Sequence, residues 1–187
     1  PSEDTDETVD VRAVNKADWP LAGIYGYWNG TDSFGGLGAG EDTIYWGEVH
    51  SGGFSLGPGN DTVYFEGSGP LGFNGDMHLN GGNDTVVIDE EISDTDTGSL
   101  AQRIYMGDGA DLIRMRVMPA NTNFWLMGDG NDDAGDIDIL ERPIGSTNAP
   151  DAGERGSIDQ GGIEVEYLDM ESVIEFRTNA ENWTGYK

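Results

Sequence analysis

A short pattern, apolar-Gly-x-Gly-x-Asp-x-apolar, has five copies or near-copies between residues 37 and 136 of this chain. The copies begin at Leu37, Leu56, Leu79, Met106 and Met127 and read LGAGEDTIYW, LGPGNDTVYF, LNGGNDTVVI, MGDGADLIRM and MGDGNDDAGD. Their second glycines lie 19, 23, 27 and 21 residues apart. Repeats of this length are typical of stacked architectures, in which one structural unit is built several times.

Apolar residues flank the copies with a spacing of two. Before the last four copies and after the first four, the pairs are Phe54/Leu56, Met77/Leu79, Ile104/Met106, Trp125/Met127, and Ile44/Trp46, Val63/Phe65, Val86/Ile88, Ile113/Met115. Since successive side chains of a strand point to opposite faces, this spacing predicts strands whose paired residues face inward. Glycine every few residues argues against helices.

Each unit is therefore expected to contain a strand, a Gly-x-Gly-x-Asp turn, a second strand and a variable loop. Stacked units can bury their apolar faces through parallel ladders about 4.8 Å apart. The predicted fold is all-β, a parallel β-solenoid with the Gly-Asp turns along one edge. The expected boundaries are an N-terminal segment and cap at 1–28, the repeats at 29–140, an exposed loop at 141–157, and a final coil and C-terminal cap at 158–187.

Charge and composition limit the partners and functions that this chain can have. Among 187 residues, 36 are acidic and 9 are basic, which gives a formal charge of −27. Because like charges repel, this balance argues against nucleic-acid and anionic-membrane partners and favours a cation. The chain has no cysteine, which excludes disulfides and thiolate metal sites. No apolar run approaches the ~18 residues of a membrane span, so no membrane insertion is expected.

The repeated turn has the composition of a calcium site. Glycine permits the positive φ of a sharp turn, which lets carbonyl oxygens converge, and each aspartate adds a carboxylate. Ca²⁺ takes 6–8 such hard oxygen ligands. Without a cation, carboxylates stacked one strand spacing apart would repel one another. A single copy is better explained as an ordinary Gly/Asn/Asp turn, but five copies with matching flanks favour metal sites.

The predicted ligands are the carboxylates, with backbone carbonyls and further side chains of the same turns. They comprise Gly38, Gly40, Asp42, Gly57, Gly59, Asn60, Asp61, Gly82, Asn83, Asp84, Gly107, Asp108, Gly109, Asp111, Gly128, Asp129, Gly130, Asn131 and Asp132. If each ion bridges two adjacent turns, five turns hold roughly four Ca²⁺ ions or more.

The segments GAGEDTI, GPGNDTV, GGNDTVV, GDGADLI and GDGND resemble the RTX-type calcium-binding repeat, GGxGxDxUx. The resemblance implies a right-handed parallel β-roll or β-solenoid with calcium in its turns. It also implies a bacterial protein exported by a type I system, which folds in the calcium outside the cell.

The chain departs from that family in its spacing. Typical members repeat every nine residues or so, with metal turns on both edges. The longer intervals here suggest one metal-bearing edge and one edge of variable loops. Asp133 and Gly135 interrupt the strand expected after the fifth copy, so its metal site is the weakest prediction.

Candidate catalytic residues are few. Neither His50 nor His78 lies in a hydrolase or metalloprotease motif. Arg114 and Arg116 form a weak candidate patch for acidic sugars, although charge balancing on a solvent face explains them better. Tyr45 and Tyr64 occupy matching outward positions, where a structural ladder is a simpler expectation than a glycan platform.

The sequence therefore favours a non-enzymatic, calcium-stabilised structural protein, secreted or on a bacterial cell surface. A surface layer, fibre or adhesin is the expected setting, with calcium, copies of the chain or a surface glycan as partners. Two alternatives remain: a calcium-binding accessory domain of a larger secreted enzyme, and a small polysaccharide-acting β-helix enzyme.

Overall fold

The computed structural model describes residues 6, 8–10, 37–46, 49–51, 54–66, 72–74, 76–89, 102–119, 124–128, 136–150 and 155–176. These residues form strands and no helix, and hence no helix that is long and apolar enough to cross a membrane. In chain order the strands are β1 (Thr8–Asp10), β2 (Thr43–Trp46), β3 (Val49–Ser51), β4 (Phe54–Pro58), β5 (Thr62–Phe65), β6 (Gly72–Asn74), β7 (Asp76–Gly81), β8 (Thr85–Ile88), β9 (Gln102–Tyr105), β10 (Leu112–Met115), β11 (Phe124–Met127), β12 (Ile139–Arg142), β13 (Thr147–Pro150), β14 (Gly156–Gln160), β15 (Ile163–Leu168) and β16 (Ser172–Glu175).

Two seven-stranded sheets contain most of the strands. Sheet A has the order β1-β2-β5-β8-β10-β12-β16, and all its pairs are parallel. Sheet B has the order β13-β14-β15-β11-β9-β7-β4; its pairs from β15 to β4 are parallel, and those joining β13, β14 and β15 are antiparallel. Strands β3 and β6 form a separate parallel pair. The predicted all-β class with parallel strands is confirmed.

From β4 to β12 the chain passes repeatedly between sheet B and sheet A. The second, third and fourth repeat segments each connect a strand of sheet B to the next strand of sheet A. Inward side chains of both sheets meet in one apolar cluster. Sheet A contributes residues such as Ile44, Val63 and Phe65, and sheet B contributes residues such as Leu56 and Met77, all of them fully buried. Alternate burial along β2, β5 and β10 follows the predicted spacing of two.

The predicted inward pair Trp125 and Met127 is wrong. In β11 it is Leu126 that is fully buried, in register with Ile104, while Trp125 and Met127 are partly exposed. All four residues of β11 are apolar, so a period of two fits either phase. Gly128, two residues after Leu126, is also buried, and a Cβ there would overlap the carbonyl oxygen of the facing Asp169. A glycine at this position is therefore consistent with Leu126 and Gly128 both facing inward.

The C-terminal quarter of the chain forms further strands. The segment 141–157, expected as an exposed loop, contains β13, and the segment from 158 continues sheet B as the antiparallel strands β14 and β15. Three of the four residues of β13 are nevertheless exposed. Of the predicted N-terminal cap at 1–28, β1 pairs with β2, and residues 11–28 lie outside the described part of the chain.

Candidate metal site

Five aspartates stand in a column along the edge where the chain passes from sheet B into sheet A. Asp42, Asp61, Asp84, Asp111 and Asp138 each directly precede a strand of sheet A, so parallel pairing brings them side by side. Each is only 1–2% exposed. These five residues are called the aspartate column below.

Hydrogen bonds run along the column in one direction. The backbone N–H of Asp42 donates to Oδ1 of Asp61 at 2.8 Å, and the N–H of Asp61 donates to Oδ1 of Asp84 at 2.8 Å. The same contact joins Asp84 to Asp111 at 2.7 Å and Asp111 to Asp138 at 3.0 Å. One oxygen of each accepting carboxylate is therefore fixed by the backbone of the preceding unit.

The second carboxylate oxygen is in a different situation. Oδ2 of Asp61 and Oδ2 of Asp84 are buried and accept no hydrogen bond within the described residues. Burial raises the pKa of Asp61 to about 6 and that of Asp84 to about 7; the hydrogen bond from the preceding aspartate opposes the shift, and the charge of that aspartate adds to it. An ionised carboxylate in this environment is costly, so the column favours either protons or a neutralising cation.

Glycines are required in the turns beside the column. Gly57 has φ +120° and Gly82 has φ +135°, and a Cβ on either would overlap the carbonyl oxygen of Gly38 or Gly59, respectively. Neither the conformation nor the space suits another residue. A Cβ would meet the oxygens of Gly40, Asn80 and Gly82 in the same way at Gly59, Gly107 and Gly109.

The residues just before the first four aspartates of the column belong to a second ladder. The N–H of Asn83 donates to Oδ1 of Asn60 at 2.8 Å, and the N–H of Ala110 donates to Oδ1 of Asn83 at 3.0 Å. Nδ2 of Asn60 donates to Oε1 of Glu41 at 3.3 Å. The asparagines are exposed, and their side-chain oxygens already accept hydrogen bonds between units.

The structure thus brings most of the predicted site residues to one edge. Asp42, Asp61, Asp84 and Asp111, the motif aspartates of the first four copies, are in the column, and the glycines of these copies form the adjoining turns. Asp108 is exposed, and Gly128 lies at the end of β11, where a Cβ would overlap Oδ2 of Asp138. Asp129, Gly130, Asn131 and Asp132 lie outside the described residues.

Two acidic residues at this edge escaped the sequence prediction. Asp138 is the fifth member of the column, and its N–H donates to Oε2 of Glu171 at 2.5 Å. Asp138 lies 27 residues after Asp111, the same interval that separates Asp111 from Asp84. The sequence Asp138-Ile139-Leu140 also repeats the Asp-x-apolar signal. These two signals would have identified it, but the nearby GDGND drew the assignment to Asp132.

The oxygens at this edge fit a hard divalent cation such as Ca²⁺. The buried aspartates stand on neighbouring parallel strands, which in general lie about 4.8 Å apart, and the adjoining turns contribute glycine carbonyls. Among the described residues, no three His, Cys, Asp or Glu side chains converge on one point. An ion here would therefore take carboxylate oxygens from two successive turns and complete its coordination with backbone oxygens. When bound, it would neutralise the column.

Comparison of the chain with protein-family models, with curated proteins and with solved structures gave no match. The interpretation of this edge therefore rests on its own residues and geometry.

The two arginines considered for acidic sugars both contact carboxylates. Nε of Arg114 lies 2.5 Å from Oε2 of Glu141, and a terminal nitrogen of Arg116 lies 3.2 Å from Oδ2 of Asp89. Both guanidinium groups are 5.8 Å from the ring centre of Phe176. These contacts neutralise much of the patch.

The outward aromatic residues stack along the sheets. The rings of Tyr45 and Tyr64 lie 5.1 Å apart at 11°, which is the geometry of a ladder on sheet A. On sheet B, the His78 ring stacks on Tyr105 at 4.5 Å. Burial lowers the pKa of His78, and the Asp76 carboxylate partly opposes this shift. His50 lies in β3.

Proposed function

We propose that this chain is a calcium-binding structural protein whose folding is coupled to the metal. Ca²⁺ ions lie between successive turns, held by the aspartate column and by backbone oxygens of the Gly-x-Gly segments. The observation that carries the proposal is the set of buried carboxylates whose Oδ1 atoms are fixed by the backbone, while Oδ2 of Asp61 and Oδ2 of Asp84 accept no hydrogen bond from any described residue. Ligand that binds only the folded form adds stability by mass action.

The proposed architecture is a right-handed parallel β-solenoid of the RTX type, with its calcium turns along one edge. Three observations support it: the alternation of the chain between two sheets, the constant register of the parallel pairs, and the single apolar cluster between the sheets. The five aspartates at one edge support a metal-bearing side distinct from the side with variable loops.

The proposed location is outside the cell or on a bacterial surface, as a unit of a layer, fibre or adhesin. The formal charge of −27 and the lack of cysteine support a fold that is stabilised by cations instead of disulfides. The paired arginines on sheet A weaken the case for a polysaccharide-acting enzyme built on Arg114 and Arg116.

The experiment is a Ca²⁺ titration of the chelator-treated chain, followed by far-UV circular dichroism and light scattering, with Mg²⁺ in parallel. We expect a gain of β-structure with Ca²⁺ that Mg²⁺ does not reproduce. Asp84→Asn should shift the transition to higher Ca²⁺, whereas Asp159→Asn, at an exposed position of β14, should not. If the chain is fully folded in excess chelator and its circular dichroism does not change on adding Ca²⁺, coupling of folding to calcium binding is excluded. Scattering that grows with Ca²⁺ supports assembly.

A further inference from the structure

A groove of about 530 Å³ opens on the side of sheet B that the later strands of the chain form, and it is lined by residues from β11, β13, β14 and β15. Its lining includes Trp125, Arg155, Ser157, Glu164 and Glu166. None of the five aspartates of the column lines this groove. It is called the Trp125 groove below.

Strand register explains why these side chains share a surface. Trp125 of β11 pairs with Glu166 of β15, and Glu166 pairs with Ser157 of β14. On the other side, Trp125 pairs with Arg103 of β9. Residues in register point to the same face of a sheet, and the neighbouring Leu126 faces the core. The row therefore lies on the outer face, with a tryptophan at its centre.

The charged groups of the groove differ from the arginines of sheet A in their contacts. Within the described part of the chain, no hydrogen bond or ion pair engages the side chains of Arg155, Glu164 or Glu166. This differs from sheet A, where Arg114 and Arg116 contact carboxylates. A partly exposed tryptophan surrounded by unengaged donors and acceptors has the composition of a ligand site: an apolar platform with a few polar groups that fix orientation.

We infer that the Trp125 groove binds a neutral saccharide. The face of Trp125 would stack on the C–H face of a sugar ring, the Glu164 and Glu166 carboxylates would accept bonds from its hydroxyls, and the Arg155 guanidinium would donate to ring or hydroxyl oxygens. Two glutamates in the lining, on a chain of charge −27, disfavour acidic sugars and nucleic acid. The polar lining disfavours an apolar peptide.

The surface beyond the groove can accommodate more than one sugar unit. Tyr105 lies on β9, two residues after Arg103 and therefore on the same face as Trp125. Its ring stacks on His78 at 4.5 Å, and Arg103 is held by Asp76 at 3.6 Å. These aromatic groups continue the outer face of sheet B from β11 to β7, so an oligosaccharide fits the surface better than a monosaccharide.

The test is affinity electrophoresis in Ca²⁺-containing buffer through gels that hold neutral polysaccharides of glucose, mannose, galactose or N-acetylhexosamine, with pectate as the acidic comparison. We expect at least one neutral polysaccharide to retard the wild-type chain. Trp125→Ala should weaken that binding about tenfold or more, and Glu166→Gln should weaken it less. Tyr45→Ala, an outward aromatic on sheet A, should bind as the wild type does.

Circular dichroism of each variant separates loss of binding from loss of fold, and Trp125→Phe, which keeps an aromatic platform, should retain part of the affinity. Absence of retardation by every neutral polysaccharide would overturn the inference, and so would equal retardation of wild type and Trp125→Ala. Retardation by pectate alone would contradict a neutral ligand. The inference does not rest on the calcium proposal, because a chain that folds without Ca²⁺ can be tested in the same gels.

Discussion

Replacing Asp84 by asparagine should have opposite effects on stability with and without calcium. The side chain of asparagine keeps an oxygen that can accept the hydrogen bond now made by Asp61 N–H to Oδ1 of Asp84 at 2.8 Å. It removes the negative charge that the buried, unbonded Oδ2 carries when it is ionised. In chelator the variant should therefore be more stable than the wild type. Added Ca²⁺ should then stabilise the variant less than it stabilises the wild type.

The size of the effect follows from the pKa of Asp84, which burial raises from 3.8 to about 7. One pKa unit corresponds to about 1.4 kcal/mol, so ionised Asp84 costs the metal-free fold up to about 4 kcal/mol at pH 8. Solvent screening makes this an upper limit. The new amide N–H has no assured partner, which takes back about 1–3 kcal/mol. The expected net gain in chelator is about 1–3 kcal/mol.

Urea unfolding at pH 8, with chelator or with excess Ca²⁺, measures both effects. With a slope of about 2 kcal/mol per molar, the chelator midpoint of Asp84→Asn should rise by about 0.5–1.5 M. If the wild type is largely unfolded in chelator, the gain will appear as a larger folded fraction. In Ca²⁺ the order of the two proteins should reverse, while the exposed Asp159→Asn should follow the wild type throughout. Loss of stability in chelator would refute the view that charge at Oδ2 opposes folding.

Three further predictions concern the same edge. In chelator, folding should be most stable at acidic pH and lose stability as pH rises from about 4 to about 7, because the folded pKa values of Asp61 and Asp84 are raised above 3.8; urea titrations at several pH values should show a weaker dependence in Asp84→Asn. Gly82→Ala should lower the free energy of unfolding, measured by thermal unfolding, by about 2–4 kcal/mol. Gly161→Ala should lower it by only about 1 kcal/mol, because Gly161 has φ +68° but no atom within 4 Å of the position that a Cβ would take. Equal losses would mean that the carbonyl overlap at Gly82 is unimportant. Asp138→Asn should reduce the Ca²⁺ response as Asp84→Asn does, and a larger effect of Asp132→Asn would restore the sequence-based assignment.

The regular part of the fold could be predicted from the sequence because two signals coincide there. The second, third and fourth copies each place a glycine-rich turn between apolar residues at a spacing of two, so both the strands and their inward faces follow. The column from Asp42 to Asp111 results from the same periodicity, since parallel strands in constant register align equivalent residues. The resemblance to a known repeat added the calcium chemistry, not the strand positions.

The fifth unit could not be predicted in the same way. The four residues of β11 are all apolar, so hydrophobic alternation does not choose between Trp125 and Leu126 as the inward residue. Extra residues between β11 and β12 also separate the glycine motif from the aspartate that joins the column. The antiparallel pairing of β14 with β15 does have a local signal: Gly161-Gly162, both with positive φ, form the two-residue turn between Gln160 and Ile163. The pairing of β13 with β14 has no such short turn. The Trp125 groove could not be predicted either, because it depends on the outward position of Trp125 and on the antiparallel strands β13 to β15.

The two ladders at the metal edge together supply an argument about why aspartate occupies the column. The ladder hydrogen bond that Asp61, Asp84, Asp111 and Asp138 accept needs only one oxygen, which an asparagine also offers. The chain uses asparagine for that purpose one residue earlier, where Asn60 and Asn83 accept backbone N–H groups of the next unit. At the buried position it places a carboxylate five times, although burial makes the charge costly. A sequence selected for ladder bonding alone would avoid that cost, so the repeated carboxylate is best explained by a cation that the amide could not bind as well.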